Sequence, residues 1–150
     1  MNKAIEVRAE EVAELRRSFE YAAYLMITQY LAKTHGLQEL HRFASFWAEM
    51  AAESRREIIR KSRKEFLEFE AKVEKVWVDR DAEKLDENGY VGVVRVCPLK
   101  KTITNNRGSL PADYFCDYVC STIYPEGYRL LGLEGSIKKT EQGCRVEIVR

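Results

Sequence analysis

The chain has 150 residues, of which 45% are hydrophobic and 33% charged, and its net charge is +1. That length suits one domain with a sizeable core. The near-neutral balance excludes a global pull toward nucleic acid, a membrane surface or acidic partners, and no apolar run reaches the ~18 residues of a membrane span.

The opening segment MNKAIEVRAEEVAELRR interleaves charges and lacks an apolar signal core. It points to a cytoplasmic protein, in a compartment where structural disulfides are disfavoured. The pattern divides near residue 72 into a helical part, 1–72, and a mixed part, 73–150. One glycine and no proline precede the division; seven glycines and three prolines follow it. Val12, Leu15, Phe19, Ala22, Met26 and Tyr30 recur at three- and four-residue steps and predict a first helix. Gly36, after Lys33 and His35, is its stop. Leu40, Phe43, Trp47, Met50 and Ala51 predict a second helix from about Leu37. ESRREIIRKSRKEFLEFE, anchored by Ile58, Ile59, Phe66 and Phe69, continues it or forms a third.

Beyond Ala71 the residues turn β-branched. Val73 to Val78 and Tyr90 to Val96 predict a hairpin, with a loop over Asp81 to Gly89 and a turn signal at Asn88-Gly89. A turn-rich loop, Thr102 to Gly108, follows. Pro111 opens a helix with Asp113 in its first turn, and Pro125 ends or kinks that helix. Leu131 to Lys138 and Cys144 to Val149 predict two final strands, joined through Glu141-Gln142-Gly143. The expected fold is α+β: long N-terminal helices on a small antiparallel sheet, with one helix inserted between two hairpins.

All four cysteines fall in the last third, as C-x18-C-x3-C-x23-C: Cys97, Cys116, Cys120 and Cys144. Cys116 and Cys120 stand one turn apart on the predicted helix. Cys97 ends a strand, and Cys144 is in phase with the apolar Val146 and Ile148 of the last strand. Four converging thiolates would suit zinc or an iron–sulfur cluster. The spacing is not a paired CxxC signature, so buried or redox-active thiols remain the other reading. Tyr114, Tyr118, Tyr124 and Tyr128 crowd the same helix. They line a pocket for a small ring, or pack on the N-terminal helices with hydroxyls at the rim. His35 fits a helix C-terminal cap, and His41, Glu49 and Glu53 a solvated face.

Cys97-Pro98-Leu99, Leu110-Pro111 leading to Phe115-Cys116, Cys120 and Gly143-Cys144 together resemble the L-2-amino-thiazoline-4-carboxylic acid hydrolase family, over residues 91–150. The same segment resembles, more faintly, the small-molecule-sensing 4-vinyl reductase type of domain. It departs from the hydrolase pattern at Tyr124-Pro125-Glu126-Gly127-Tyr128, where a more polar Asn-Pro stretch belongs. The resemblance implies that the four cysteines act together. It also implies an enzyme that adds water to a cyclic amidine or thiazoline and breaks a C–N bond. Asp117 or Glu126 would take the proton, and a cysteine-held metal would activate water. A closed four-cysteine metal site would instead imply a non-catalytic small-molecule-binding or sensor domain. Phe19, Tyr24, Met26, Tyr30, Phe43, Phe46 and Trp47 are spread around more than one side of the N-terminal helices. They predict a two-fold homodimer, unless a third helix, Glu57 to Glu70, covers the excess.

Overall fold

The computed structural model describes residues 8–104 and 114–149. Three helices come first: α1 (Ala9–Thr34), α2 (Leu37–Lys61) and α3 (Arg63–Val78). A hairpin follows, β1 (Asp81–Asp86) and β2 (Gly89–Val94), and then a short helix, α4 (Pro98–Thr104). A π-helical segment, Phe115–Cys120, runs into α5 (Ser121–Leu130), and a second hairpin, β3 (Glu134–Lys139) and β4 (Cys144–Val149), completes the fold. The four strands form one antiparallel sheet in the order β1-β2-β4-β3. This is the expected α+β architecture, with the cysteine-bearing helical segment between two hairpins.

Local chemistry sets the boundaries. Gly36 sits at φ +85, a conformation that favours glycine, and separates α1 from α2 as expected. Ser62 then breaks the long helical run: its backbone is extended and its hydroxyl accepts from the Glu65 N–H at 3.2 Å, an N-cap for α3. The expected strand over Val73 to Val78 is instead the last part of α3. The buried positions of α3 are Phe66, Leu67, Glu70, Glu74 and Val78, at helical spacing. Two glutamates interrupt that stripe, so its apolar residues alone mimic a strand. The expected loop over Asp81 to Gly89 is in turn mostly strand β1. Its six residues are all exposed, and its charges suit an unpaired sheet edge. The turn is short, with the Asp86 carboxylate accepting from the Asn88 and Gly89 N–H groups at 2.8 and 3.1 Å.

Further along, the loop expected from Thr102 begins as α4. Residues 105–108, and the Pro111 and Asp113 positions, lie outside the described residues. Pro125 lies inside α5, which continues to Leu130, so it does not end that helix.

Packing corrects the first helix most. Its buried line is Tyr21, Leu25 and Thr28. The apolar stripe read from the sequence faces outward, with Phe19 75%, Met26 68% and Tyr30 60% exposed. In α2, Ala44, Ala48 and Ala52 are buried at four-residue steps and leave a smooth surface. Helix α5 lies on it, with Gly127 against Ala48. In β4, Cys144, Val146 and Ile148 are buried and Arg145 is exposed, the expected phase.

The β3–β4 loop closes tightly on the end of β2. Val94 pairs with Cys144, the Cys97 N–H donates to Gln142 O at 2.8 Å, and a Cβ on Gly143 would lie 1.7 Å from Val94 O. Gly143→Ala must therefore push these strands apart. The expected loss of stability is about 1–3 kcal/mol, read by urea unfolding.

Candidate functional site

Three elements converge where the second hairpin meets the helices. The tight β3–β4 loop holds Cys97 beside Cys144. The π-helical segment supplies Cys116 and Cys120 from the opposite side. Such i→i+5 segments are rare and recur at functional sites. All four cysteines line one cavity of about 210 Å³, together with apolar residues such as Val94, Leu99, Phe115 and Ile137. None of the four forms a disulfide.

One wall is polar, and α3 builds it. The helix ends at Asp79 in the left-handed conformation, φ 54, and the Arg80 N–H reaches back to Glu74 O at 3.3 Å. This Schellman-type turn swings Arg80 inward, where it is 2% exposed. Its guanidinium pairs with the buried Glu74 carboxylate, donates to the Tyr124 hydroxyl at 3.0 Å and reaches Cys144 Sγ at 3.4 Å. Tyr124 in turn donates to Glu74, 2.9 Å from Oε1. Space for the arginine exists because residue 92 is glycine: a Cβ there would meet Arg80 Cδ at 2.5 Å and the Tyr90 hydroxyl at 2.2 Å. Arg80 Nε and the Tyr90 hydroxyl are buried without a hydrogen-bond partner among the described residues.

Burial raises the Cys120 thiol well above its ordinary pKa, and the neighbouring Cys116, Cys97 and Cys144 add to the shift. Burial also raises Cys144, against the opposing pull of Arg80. Glu74 is likewise raised by burial and held back by Arg80 and Tyr124. The Cys120 and Cys144 thiols are thus protonated and weakly nucleophilic at neutral pH.

The other expected site residues scatter. Asp117 lies at the cavity wall in an ion pair with Lys139, which also lines it. Glu126 is half-buried on α5 and lines none of the described cavities. Tyr114 and Tyr118 stack on each other, centroids 5.6 Å apart, away from the cysteine cavity. Tyr128 turns to Glu70, 2.9 Å from Oε2. Of the four tyrosines, Tyr124 alone lines the cysteine cavity. His35 caps the end of α1, and His41 Nδ1 lies 3.1 Å from Thr122 Oγ1, tying α2 to α5. Among the described residues, no three His, Cys, Asp or Glu side chains are disposed to hold a metal ion. With Cys144 also engaged by Arg80, this arrangement does not fit a zinc or iron–sulfur centre, and no chemistry below is routed through one. Glu74 and Arg80 escaped the sequence reading. The signal for Glu74 was present as two glutamates one turn apart, Glu70 and Glu74, on a stripe with Phe66, Leu67 and Trp77.

No family model and no curated protein matches the chain. Its fold is similar to that of a trafficking protein particle complex subunit 3 from Naegleria fowleri, whose crystal structure shows it covalently bound to palmitic acid. The two share 16% identity and a TM-score of 0.51, over 93% of this chain and 95% of that one.

The polar wall has an energetic signature. Arg80→Met leaves the Glu74 carboxylate buried without its cation, at an expected cost of about 3–5 kcal/mol. Adding Glu74→Leu removes the stranded charge and recovers most of that loss. A double-mutant cycle by urea unfolding reads the difference.

Proposed function

We propose that this chain is a small-molecule-binding domain whose ligand is one ring in size and carries a hydrogen-bond acceptor. The cysteine cavity, with buried Arg80 on one wall and the half-exposed Asp117–Lys139 pair at another, carries the reading. Its volume of about 210 Å³ exceeds the ~150 Å³ that takes up benzene and falls short of the ~300 Å³ at which drug-sized pockets begin. That size suits a ring and not a long acyl chain such as the palmitic acid bound to the structural neighbour. Arg80 lines this cavity and brings it a buried positive charge, which a carboxylate or ring nitrogen would answer. Three of its N–H groups are held by Glu74, Tyr124 and Cys144, so the wall is preorganised.

The second reading is hydrolysis of a cyclic amidine or thiazoline, as in the family that residues 91–150 resemble. The observation that favours it is the buried carboxylate, Glu74, one hydroxyl away from the cavity through Tyr124. A carboxyl group hydrogen-bonded to a hydroxyl at a cavity wall is placed as a general acid or base would be. Cysteines without disulfides fit a reducing, cytoplasmic setting, and among the described residues no helix is long and apolar enough to cross a membrane.

The binding test uses L-2-amino-thiazoline-4-carboxylic acid and, separately, palmitate, followed by tryptophan fluorescence. Trp77 borders the cavity and reports on it. The thiazoline is expected to give a saturable change that weakens at least about tenfold, 1.4 kcal/mol, in the cavity-filling Cys116→Phe variant. Palmitate binding alone would sink the ring-sized ligand. A product heavier by one water, formed only with intact protein, would establish hydrolysis.

The outward stripe of α1 supports the dimer. Leu15, Phe19, Ala22, Met26 and Tyr30 follow 4-3-4-4 steps, close to the seam of a two-stranded coiled coil. Helix α3 begins at Arg63 and leaves Phe19, Met26 and Tyr30 largely exposed. A second copy would cover the seam by two-fold symmetry. Light scattering is expected to give twice the chain mass for the wild type and a single mass for Phe19→Glu. A wild-type monomer at high concentration would refute the dimer.

A further inference from the structure

The first turns of α1 carry no buried residue; the buried line of that helix starts at Tyr21. Between these turns and α3 runs an open groove of about 910 Å³. Val12 and Ala13 form one side of it, and Phe69, Val73 and Val76 the other. Val76 is 69% exposed and Phe69 37%. Apolar side chains gathered in this way on a surface mark a contact site. The groove is separate from the dimer seam. Arg16 and Glu20 line it, and each follows a seam residue, Leu15 or Phe19, by one position, which turns it about 100° around the helix.

Charge and backbone chemistry select the occupant. Arg16 and Arg17 on α1 and Lys72 on α3 line the groove, against one carboxylate, Glu20. Among the described residues none of these three cations forms an ion pair, whereas neighbouring bases on the same helices are paired: Arg8 with Glu11, Lys64 with Glu68 and Lys75 with Asp79. The net charge of +1 hides this local excess. Both walls are helices, whose backbone groups are bonded internally. An extended peptide would find no backbone partners there, but a helix brings its own hydrogen bonds and can lay an apolar stripe between two others. Carboxylates flanking that stripe would meet the unpaired cations.

We propose that the groove between the first turns of α1 and α3 docks an acidic amphipathic helix of another protein.

A suitable probe is a labelled synthetic helix of about five turns, with leucines at i, i+3, i+4 and i+7 and glutamates on both flanks; its counterpart carries lysines instead. Fluorescence anisotropy with the full chain is expected to show saturable binding of the glutamate helix, and binding of the lysine helix at least about tenfold weaker. Arg17→Gln with Lys72→Gln should weaken the glutamate helix several-fold and flatten its salt dependence. Val76→Asp, at an exposed position, should weaken it at least about tenfold, and Phe19→Glu should leave it unchanged. Equal binding of the two helices would overturn the site, as would no saturable binding or full binding by Val76→Asp. Weaker binding by Phe19→Glu would move the helix to the dimer seam and overturn it too. A smaller mass for Val76→Asp than for the wild type in light scattering would place a second copy in the groove and refute the foreign helix.

Discussion

A buried ion pair organises this molecule. Glu74 and Arg80 are six residues apart, both almost fully enclosed, and neither is tolerable inside without the other. Their union needs the left-handed turn at Asp79, which ends α3 and reverses the chain toward β1. It needs the missing side chain at Gly92, where the arginine stem passes the sheet. It also fixes Tyr124, and with it the position of α5 over the sheet. A hydrophobic pair of similar volume would serve stability as well or better. The charges stand at the wall of the cysteine cavity, and polar walls inside cavities are what orient ligands.

The cysteines depend on a different constraint, close backbone approach. Cys97 and Cys144 belong to segments nearly fifty residues apart. The Gln142 carbonyl and the bare α-carbon of Gly143 bring them to one edge. Cys116 and Cys120 arrive on a widened helical turn rather than an ordinary α-helical one. The result is a thiol-lined chamber in which burial keeps Cys120 and Cys144 protonated and an arginine already engages one of them.

The sequence carried the architecture better than the packing. Strand β4 was legible because Cys144, Val146 and Ile148 alternate with Arg145 and Glu147 on a sheet with one buried face. Gly36 was legible because a positive φ selects glycine. Helix α3 was misread at its end because buried glutamates break an apolar stripe, and pattern reading assigns charged residues to the surface. The seam of α1 could not be assigned to the core or the surface from its spacing alone, because a stripe carries no label for what covers it. Cysteine convergence was legible from clustering in the chain. The carboxylate–arginine wall was not, since Arg80 is buried by a turn and not by any periodicity.

Tyr124 and Trp77 belong at once to the cysteine cavity and to a neighbouring cavity of about 220 Å³ lined also by Arg55, Glu70 and Glu74. A phenol that bonds Glu74 on one side and borders the thiols on the other cannot move without changing both spaces. Occupancy of either chamber that shifts this ring alters the free energy of filling the other. By thermodynamic linkage that influence is equal in the two directions, whichever ligand arrives first. The partition thus supplies a short route for coupling, one side chain thick, that needs no rearrangement of the sheet or of the long helices.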